Sequence, residues 1–507
     1  MRLRKNGKYE FLIVLAGAFL YVFMLLIFSG TLTSGYHLAD DHEIVLINKR
    51  FQDGTYGWNT IFQKGILGYF NKDIRFRPFY LTMRMLCIYL LGTNYLVWSI
   101  WVGMEIVLSI VVAYYIARGL GANFIFAGLV ALLIVTGEQG EIWWRLGPQE
   151  PLGLVLCLIC MWLIQKFEKE PKIIHGIMIV GTAFLMAASK ESFTLLLPAM
   201  IFFCIGYDFW INSYTAWKER IRVSFNKNKW IILGLCINFC INMYVIIFRI
   251  GLLSIEYAGI DVKQGIKGYI GMLGRMLTKK SMLNYVFLFI VSCFLATVLA
   301  KGKKKEDIFI FLKRSSILIF SLLLIVAVEM VLYAKSGMFG RYFVPFTVGI
   351  SFLIAIVSIL LKKKVYKYFF AMILLLMNVY LYYNAWNTGV YFSTQGKELA
   401  EGFEIIESEF EPKQKIVTCM DWGGEYDYSF TQYARIQMKM ENIYTWNEKM
   451  GFYSLYEENE ENISSLSEAD CLILPQEMTL EKMGLPEKEY EFLLYNGYGN
   501  VYKKIKS

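Results

Sequence analysis

Apolar residues dominate long stretches of this chain, and these stretches recur from Phe11 to Trp386 with polar segments between them. A helix needs about 20 apolar residues to cross a membrane, whereas a transmembrane β-strand would alternate apolar and polar residues. The pattern therefore predicts a polytopic α-helical membrane protein with about eleven transmembrane helices. The predicted spans are 11–30, 95–116, 122–137, 151–165, 173–188, 192–209, 230–251, 283–300, 315–333, 344–361 and 367–385.

Composition supports this class. The 507 residues are 56% hydrophobic and 17% aromatic, with a mean hydropathy of +0.44. A soluble domain would have fewer apolar residues and more charge than the 18% present here. The first span is too long for a signal-peptide core and has no clear small-residue cleavage site, so we expect it to be retained as an anchor.

Charge is distributed unevenly along the chain. Residues 1–385 carry 40 Lys and Arg against 20 Asp and Glu, whereas residues 386–507 carry 11 against 22. The basic residues concentrate in alternate loops, such as 301–314 and 362–367. Because basic loops stay on the cytoplasmic side, the N-terminus is predicted to be cytoplasmic and the acidic tail extracytoplasmic, in a membrane that is plausibly a bacterial plasma membrane. This role accounts for the positive charge without nucleic-acid binding.

The two longest segments outside the predicted spans are 31–94 and 386–507. The first outer loop, 31–94, contains apolar stretches at 44–51 and 79–91 that read as interfacial helices. The tail, 386–507, reads as a small α/β domain separate from the transmembrane domain of residues 1–385. It has helical spacing at 397–410, short apolar runs at 415–420 and 470–474, and a turn at 495–500 with a strand expected on either side.

Three acids follow the first span closely. Asp40, Asp41 and Glu43 flank His42 in the sequence Asp-Asp-His-Glu. One carboxylate there could act as general base for an acceptor hydroxyl, while a second orients it or raises its pKa. The alternative is that Asp40 or Asp41 caps the helix that follows, which explains one acid more easily than three. The two roles are compatible.

Further along the first outer loop, Arg75 and Arg77 precede Pro78. Arg offers a planar set of donors that suits phosphate, although Arg and aromatic residues also anchor proteins at the membrane surface. The outer loop 138–150 combines acids, tryptophans and an arginine, which favours a sugar-binding site over an ordinary aromatic belt. Its candidate substrate-binding residues are Glu141, Trp144 and Arg145.

Two more charged groups stand at predicted outer ends of spans. Lys190 and Glu191 lie in a turn between two spans, where they must face protein or a watery cavity. They could bind substrate or form a structural ion pair. Arg341 and Tyr342, followed by Pro345, repeat the Arg-aromatic-Pro arrangement of the first loop.

These motifs, in this order, resemble those of the GT-C class of membrane glycosyltransferases, which includes protein O-mannosyltransferases and lipid A aminoarabinose transferases. The resemblance covers residues 1 to about 385, and an outer tail domain is common in the class. Many members have Asp-Glu or a single Asp where this chain has Asp-Asp-His-Glu, so the choice of base stays open. The motifs are Asp40-Asp41, Arg77-Pro78, Ser189-Lys190-Glu191, and Arg341-Tyr342 with Pro345.

The resemblance implies an inverting transfer of a hexose or pentose from a polyprenyl-phosphate donor to a glycan, lipid or protein acceptor on the outer face. The general base would be Asp40 or Asp41, and the phosphate would bind Arg77, Lys190 and Arg341. Basic side chains can stabilise the leaving phosphate without a nucleotide site. A divalent cation held by Asp40, Asp41 or Glu141 is compatible with this chemistry but not required.

Two other functions use the same class of substrate. A transporter or flippase of lipid-linked glycans would place charges through its spans to both faces, whereas the conspicuous polar clusters here lie at one face. A polymerase or ligase of surface glycans would share the long outer loops but would not be expected to carry acids directly after the first span.

Overall fold

The computed structural model of the protein describes residues 7–67, 76–212, 217–251, 267–268, 270–271, 280–300, 305–336, 340–361, 363–421, 424–447, 451–453 and 463–505. Within these ranges a bundle of helices is followed by a small sheet domain. The α-helices are α1 (Gly7–Phe28), α2 (His42–Gln52), α3 (Trp58–Phe62), α4 (Pro78–Leu91), α5 (Tyr95–Leu120), α6 (Phe124–Val135), α7 (Glu150–Lys169), α8 (Ile173–Ala187), α9 (Glu191–Thr194), α10 (Leu196–Ile211), α11 (Trp217–Tyr244), α12 (Lys280–Ala300), α13 (Lys305–Ser336), α14 (Val344–Ser358), α15 (Lys364–Glu409) and α16 (Glu425–Ile436).

Local sequence explains where several of these helices begin. The side chain of Asn94 accepts a hydrogen bond from the Val97 backbone, and Asn123 does the same for Phe126. Each bond satisfies an N–H that the first turn of a helix leaves unpaired. Pro78 occupies the first turn of α4, where its missing N–H costs nothing.

The prediction of a membrane protein is confirmed. In the part of the chain that the structure describes, eight helices are long and apolar enough to cross a membrane, and four apolar helices are shorter. Three of the shorter ones coincide with the predicted spans at 122–137, 173–188 and 283–300, so eleven crossings remain a prediction. The fourth is α4, one of the two helices expected in the first outer loop, and α2 is the other.

The tail forms the expected α/β domain. A six-stranded sheet has the order β3-β2-β1-β4-β6-β5, in which β1 runs parallel to β2 and β4 and the remaining pairs are antiparallel. Helix α16 connects β1 to β2, because parallel neighbours need a crossover. The hairpin turn predicted at 495–500 joins β5 to β6. The strands are β1 (Lys415–Thr418), β2 (Asn442–Asn447), β3 (Gly451–Tyr453), β4 (Cys471–Leu474), β5 (Tyr490–Tyr495) and β6 (Asn500–Lys504).

A single helix links the bundle to the sheet domain. Helix α15 has 46 residues and passes residue 385 without a break, so it crosses from the last predicted span into the tail. The tail also packs directly on the first loop. Leu38 and Val45 of that loop are buried in the same hydrophobic cluster as Phe430 and Ile473 of the tail. The loop that carries the three acids is therefore part of the core of the tail domain.

Candidate active site at one end of the helix bundle

The turn that carries Asp40 has an unusual backbone. Ala39 and Asp40 both have positive φ, at 68° and 58°, a conformation that costs non-glycine residues about 1 kcal/mol or more each. Arg84 donates to the Asp40 carbonyl at 2.7 Å. Gly147 faces Asp40 so closely that a Cβ at position 147 would overlap the Asp40 side chain. The surrounding structure therefore holds Asp40 in one orientation, with its side chain 27% exposed.

Asp41 is directed inward and is fully buried. Its carboxylate accepts hydrogen bonds from the backbone N–H groups of His37 at 3.1 Å and Leu146 at 3.0 Å. Burial opposes ionisation, but the hydrogen bond from His37 and the nearby arginines outweigh it, so the pKa of Asp41 lies below its ordinary value. Although Asp41 occupies the N-cap position of α2, its side chain makes no cap hydrogen bond. Its contacts tie the first loop to loop 138–150 instead of capping the helix.

The next two residues have separate partners. The ring of His42 is buried and its Nδ1 lies 2.8 Å from the Ser429 hydroxyl. Burial, followed by the charge of Arg84, lowers the pKa of His42 to about 4, so the ring is neutral near pH 7. Glu43 pairs with Arg84 at 3.1 Å and is 43% exposed. Desolvation raises the pKa of Glu43 despite this exposure, as expected for a carboxyl in a cleft.

Basic residues from distant segments converge beside Asp40. The Arg341 Nη1 atom lies 3.6 Å from Asp40 Oδ2. Lys190 donates to Glu150 at 2.6 Å, and both side chains are more than nine-tenths buried. The ring of Tyr342 lies 4.7 Å from the Lys190 ammonium and 5.4 Å from the Arg341 guanidinium, within the range of cation–π attraction. The turn at 189–191 and the segment at 340–343 thus form one charged cluster with the first loop.

Arg77 adds a third cation at the edge of this cluster. Its Nε donates to Glu191 at 3.1 Å, and Glu191 also accepts from the Phe76 backbone at 2.9 Å. Glu150 lies within electrostatic reach of Arg77, Lys190 and Arg341. The predicted phosphate-binding residues therefore surround one carboxylate. Arg75 lies outside the described residues.

Loop 138–150 contributes less surface than its composition suggests. Trp144 is 1% exposed and packs in the main hydrophobic core, so its ring is not available to stack on a sugar. Arg145 places its guanidinium 5.7 Å from the ring of Phe392 and lies close enough to Asp41 to stabilise its charge. Glu141 is half-buried in the short helical segment Glu138–Trp143. The sequence of a short polar loop does not show which of its side chains are buried.

The carboxylates of Asp40 and Asp41 are engaged with protein groups. No group of three or more His, Cys, Asp or Glu side chains placed to hold a metal ion occurs among the residues that the structure describes. Both oxygens of Asp41 accept backbone hydrogen bonds, and Asp40 faces the guanidinium of Arg341. A divalent cation would therefore have to displace several donors from these two carboxylates.

The tail domain completes the site, which the sequence did not indicate. The hydroxyl of Ser429 accepts from the Ala39 backbone N–H at 3.0 Å while it contacts His42. Tyr498 accepts from the Leu38 N–H at 3.1 Å. Glu425, the first residue of α16, lies beside Asp40, and burial together with the Asp40 charge raises the pKa of Glu425. Residues some 390 positions from the acidic motif thus hold it in place.

Known proteins are similar to this chain in structure but not in sequence. No protein-family model matches the chain, and no curated protein matches it significantly. The chain is similar in structure to the apo oligosaccharyltransferase of Archaeoglobus fulgidus, with a TM-score of 0.47 and 13% identity over 89% of this chain and 66% of that chain. For AglB of the same organism, in complex with an inhibitory peptide and a dolichol-phosphate, the TM-score is 0.43 and the identity 12%, over 91% and 62%.

A third similar structure is ArnT from Cupriavidus metallidurans bound to undecaprenyl phosphate, with a TM-score of 0.48 and 11% identity over 99% of both chains. The chain thus spans 66% and 62% of the lengths of the two archaeal structures and nearly all of ArnT. These similar proteins are GT-C glycosyltransferases, the class that the sequence motifs resemble. At identities of 11% to 13% the likeness concerns the fold alone.

Proposed function

We propose that this protein transfers a sugar from a polyprenyl-phosphate donor to an acceptor hydroxyl, at the end of the bundle that carries Asp40. The observation that supports this most directly is the contact between Asp40, which is partly exposed, and Arg341, 3.6 Å away. It pairs a carboxylate that can accept a proton with a cation that can hold a phosphate. Asp41, which is fully buried, serves to position the loop.

The proposed reaction is a single displacement. The Asp40 carboxylate takes the proton of the acceptor hydroxyl as its oxygen attacks the anomeric carbon, and the bond from that carbon to the phosphate oxygen breaks. The electron pair leaves with the polyprenyl phosphate, and the configuration at the anomeric carbon inverts. A positioned general base contributes about 10²–10⁴-fold to such a step.

Arg341 and Arg77, which are 20% and 15% exposed, are the cations that can reach the departing phosphate. Lys190 is 6% exposed and fixes Glu150 and Tyr342 behind Arg341. Before the donor binds, Arg341 is held by Asp40. A donor phosphate that draws Arg341 away would free the Asp40 carboxylate to contact the acceptor hydroxyl. Donor binding would thus make the base available.

The loop charges favour an acceptor on the outer face of the membrane, where it could be a glycan, a lipid or a protein. In this arrangement the N-terminus is cytoplasmic and the sheet domain is extracytoplasmic. The sugar is a hexose or a pentose. No nucleic acid takes part.

The test compares Asp40→Asn with the wild type in membranes that receive a panel of undecaprenyl-phosphate-linked hexoses and pentoses. Asp53→Asn is the matched control, because Asp53 is an exposed acid on the same loop. We expect release of undecaprenyl phosphate from one donor by the wild type and the control, and a loss of about 10²-fold or more in Asp40→Asn. Full activity in Asp40→Asn would refute the proposed base. Movement of the donor across liposomes without its cleavage would support a translocase instead.

A further inference from the structure

A second concave site lies on the tail side of the molecule, where the β5–β6 hairpin meets α15. Four of its lining residues, Tyr391, Thr394, Gln395 and Glu398, are spaced i, i+3, i+4 and i+7 and therefore share one face of the helix. Tyr495 and Gly497 of the hairpin form the opposite wall. The depression has a volume of about 310 Å³, which is near the lower end of the range of small-molecule sites.

The hairpin can approach the helix this closely only because of two glycines. Gly497 has a φ of +82°, and a Cβ there would come within 2.7 Å of the Gln395 carbonyl oxygen. A Cβ on Gly402 would come within 2.6 Å of the Asn496 side chain. The Gln395 amide also donates to the Gly497 carbonyl at 3.0 Å. The walls of the depression are therefore held in place by direct contacts.

The chemistry of the lining suits a carbohydrate. Tyr391 is 61% exposed and Tyr495 is half-buried, so both rings offer an apolar face beside a polar hydroxyl. Glu398 and Thr394 add a carboxylate and a hydroxyl that can bind sugar hydroxyl groups. Sugars combine weakly apolar C–H faces with a rim of hydroxyls, and this lining presents the complementary groups.

The position along α15 separates this site from an aromatic belt at the membrane surface. Trp386 donates to the Phe28 carbonyl at the end of α1, the first predicted span, and we take this level as the expected outer end of that span. Glu398 lies twelve residues further on, or about 18 Å along the helix axis. The headgroup region is only about 5–8 Å thick on each side. On this placement Tyr391, about 7.5 Å beyond Trp386 along the helix axis, would stand at the edge of the headgroup region, and Glu398 would lie beyond it.

The site lies near the candidate active site. Tyr391 is an electrostatic neighbour of both Tyr495 and Tyr426. The ring of Tyr426 packs 4.9 Å from that of Tyr498, and Tyr426 follows Glu425, which flanks Asp40. A row of tyrosines thus leads from the depression to the proposed base.

We propose that this depression is a glycan-binding subsite, and that the acceptor is an oligosaccharide whose end reaches Asp40 while its body lies over Tyr391. The role as acceptor site rests on the proposed function, whereas glycan binding by the depression does not. A longer acceptor would contact both the depression and the residues beside Asp40. The hairpin and α15 would then select for length.

The test measures binding of the full-length protein in nanodiscs to an array of bacterial surface oligosaccharides of one to eight sugars. We expect preferential binding of the longer members, about tenfold weaker binding by Tyr391→Ala, and a smaller loss by Glu398→Gln. Tyr383→Ala is the matched control, since Tyr383 is 55% exposed on the same helix before Trp386. Asp53→Asn, at an exposed acid outside both sites, should bind the array as the wild type does.

Three outcomes would overturn the proposal. In the first, the protein binds none of the glycans. In the second, Tyr391→Ala binds the glycans as well as the wild type does. In the third, Tyr391→Ala changes only the thermal stability in lipid, as expected if Tyr391 is a membrane anchor. Failure of the proposed transferase activity would appear separately, as unchanged donor cleavage by Asp40→Asn. If the wild type binds the array and Tyr391→Ala loses that binding, glycan binding by the depression is supported even when donor cleavage is unchanged in Asp40→Asn.

Discussion

Ser429→Ala should loosen the turn that presents Asp40, although Ser429 belongs to the tail domain. The Ser429 hydroxyl accepts from the Ala39 N–H at 3.0 Å and lies 2.8 Å from His42 Nδ1, and all three groups are buried. Removing it leaves a buried donor and a buried ring nitrogen without partners, each at a cost of about 1–3 kcal/mol. We therefore expect a loss of about 2–6 kcal/mol in the free energy of unfolding.

The same substitution should affect the reaction more than donor binding. Ala39 and Asp40 are held at positive φ, and without the bond from Ala39 the turn can relax to an ordinary conformation that moves the carboxylate. Because Arg77 and Arg341 stay in place, kcat for donor cleavage should fall by about tenfold to a hundredfold while the KM for the donor changes little.

Two measurements check this reasoning, with Ser408→Ala as the control because Ser408 is exposed on α15. Thermal unfolding in detergent reports the stability, and hydrogen exchange of the peptide containing residues 39–41 reports the turn. Both should change in Ser429→Ala and neither in the control. If Ser429→Ala melts like the wild type and its turn exchanges no faster, the tail does not hold the acidic motif, and the reasoning is wrong.

Three further predictions concern the packing and charges around Asp40. Gly147→Ala should displace Asp40, lower the free energy of unfolding by about 1–3 kcal/mol and remove most of the activity. Gly128→Ala should do none of these, because no atom lies within 4 Å of the new Cβ. Equal activity of the two variants would contradict the contact between Gly147 and Asp40. Lys190→Met should destabilise the protein by about 3–5 kcal/mol in thermal unfolding, because it leaves Glu150 charged and buried. Adding Glu150→Gln to this variant should restore part of the lost stability. The control Lys172→Met, which removes one partner of an exposed ion pair, should have little effect. The free energy of unfolding should fall as the pH is lowered from about 6.5 to about 4, because His42 takes up a proton near pH 4 when folded and near 6.5 when unfolded. His42→Asn should flatten this part of the pH profile, and an unchanged profile would show that His42 does not titrate as described.

The sequence predicted the elements well because each depends on local information. Apolar runs located helices such as α5 and α13, and short apolar runs located β1 and β4. The motifs at 40, 190 and 341 were also expected at one face, and the structure brings Asp40, Lys190 and Arg341 into one charged cluster. Periodicity and length suffice for these inferences, since neither requires knowledge of distant contacts.

The tertiary structure decided what each side chain does within that cluster. Asp40 and Asp41 are adjacent and chemically identical, yet one is partly exposed and the other is fully buried. The difference arises from Leu146, Arg84 and Ser429, which reach the turn from loop 138–150, α4 and α16. Trp144 is buried for a similar reason, because the core closes around a loop that is polar in sequence. Burial and orientation depend on which distant segments contact each other, and a local pattern of apolar and polar residues does not show which segments these are.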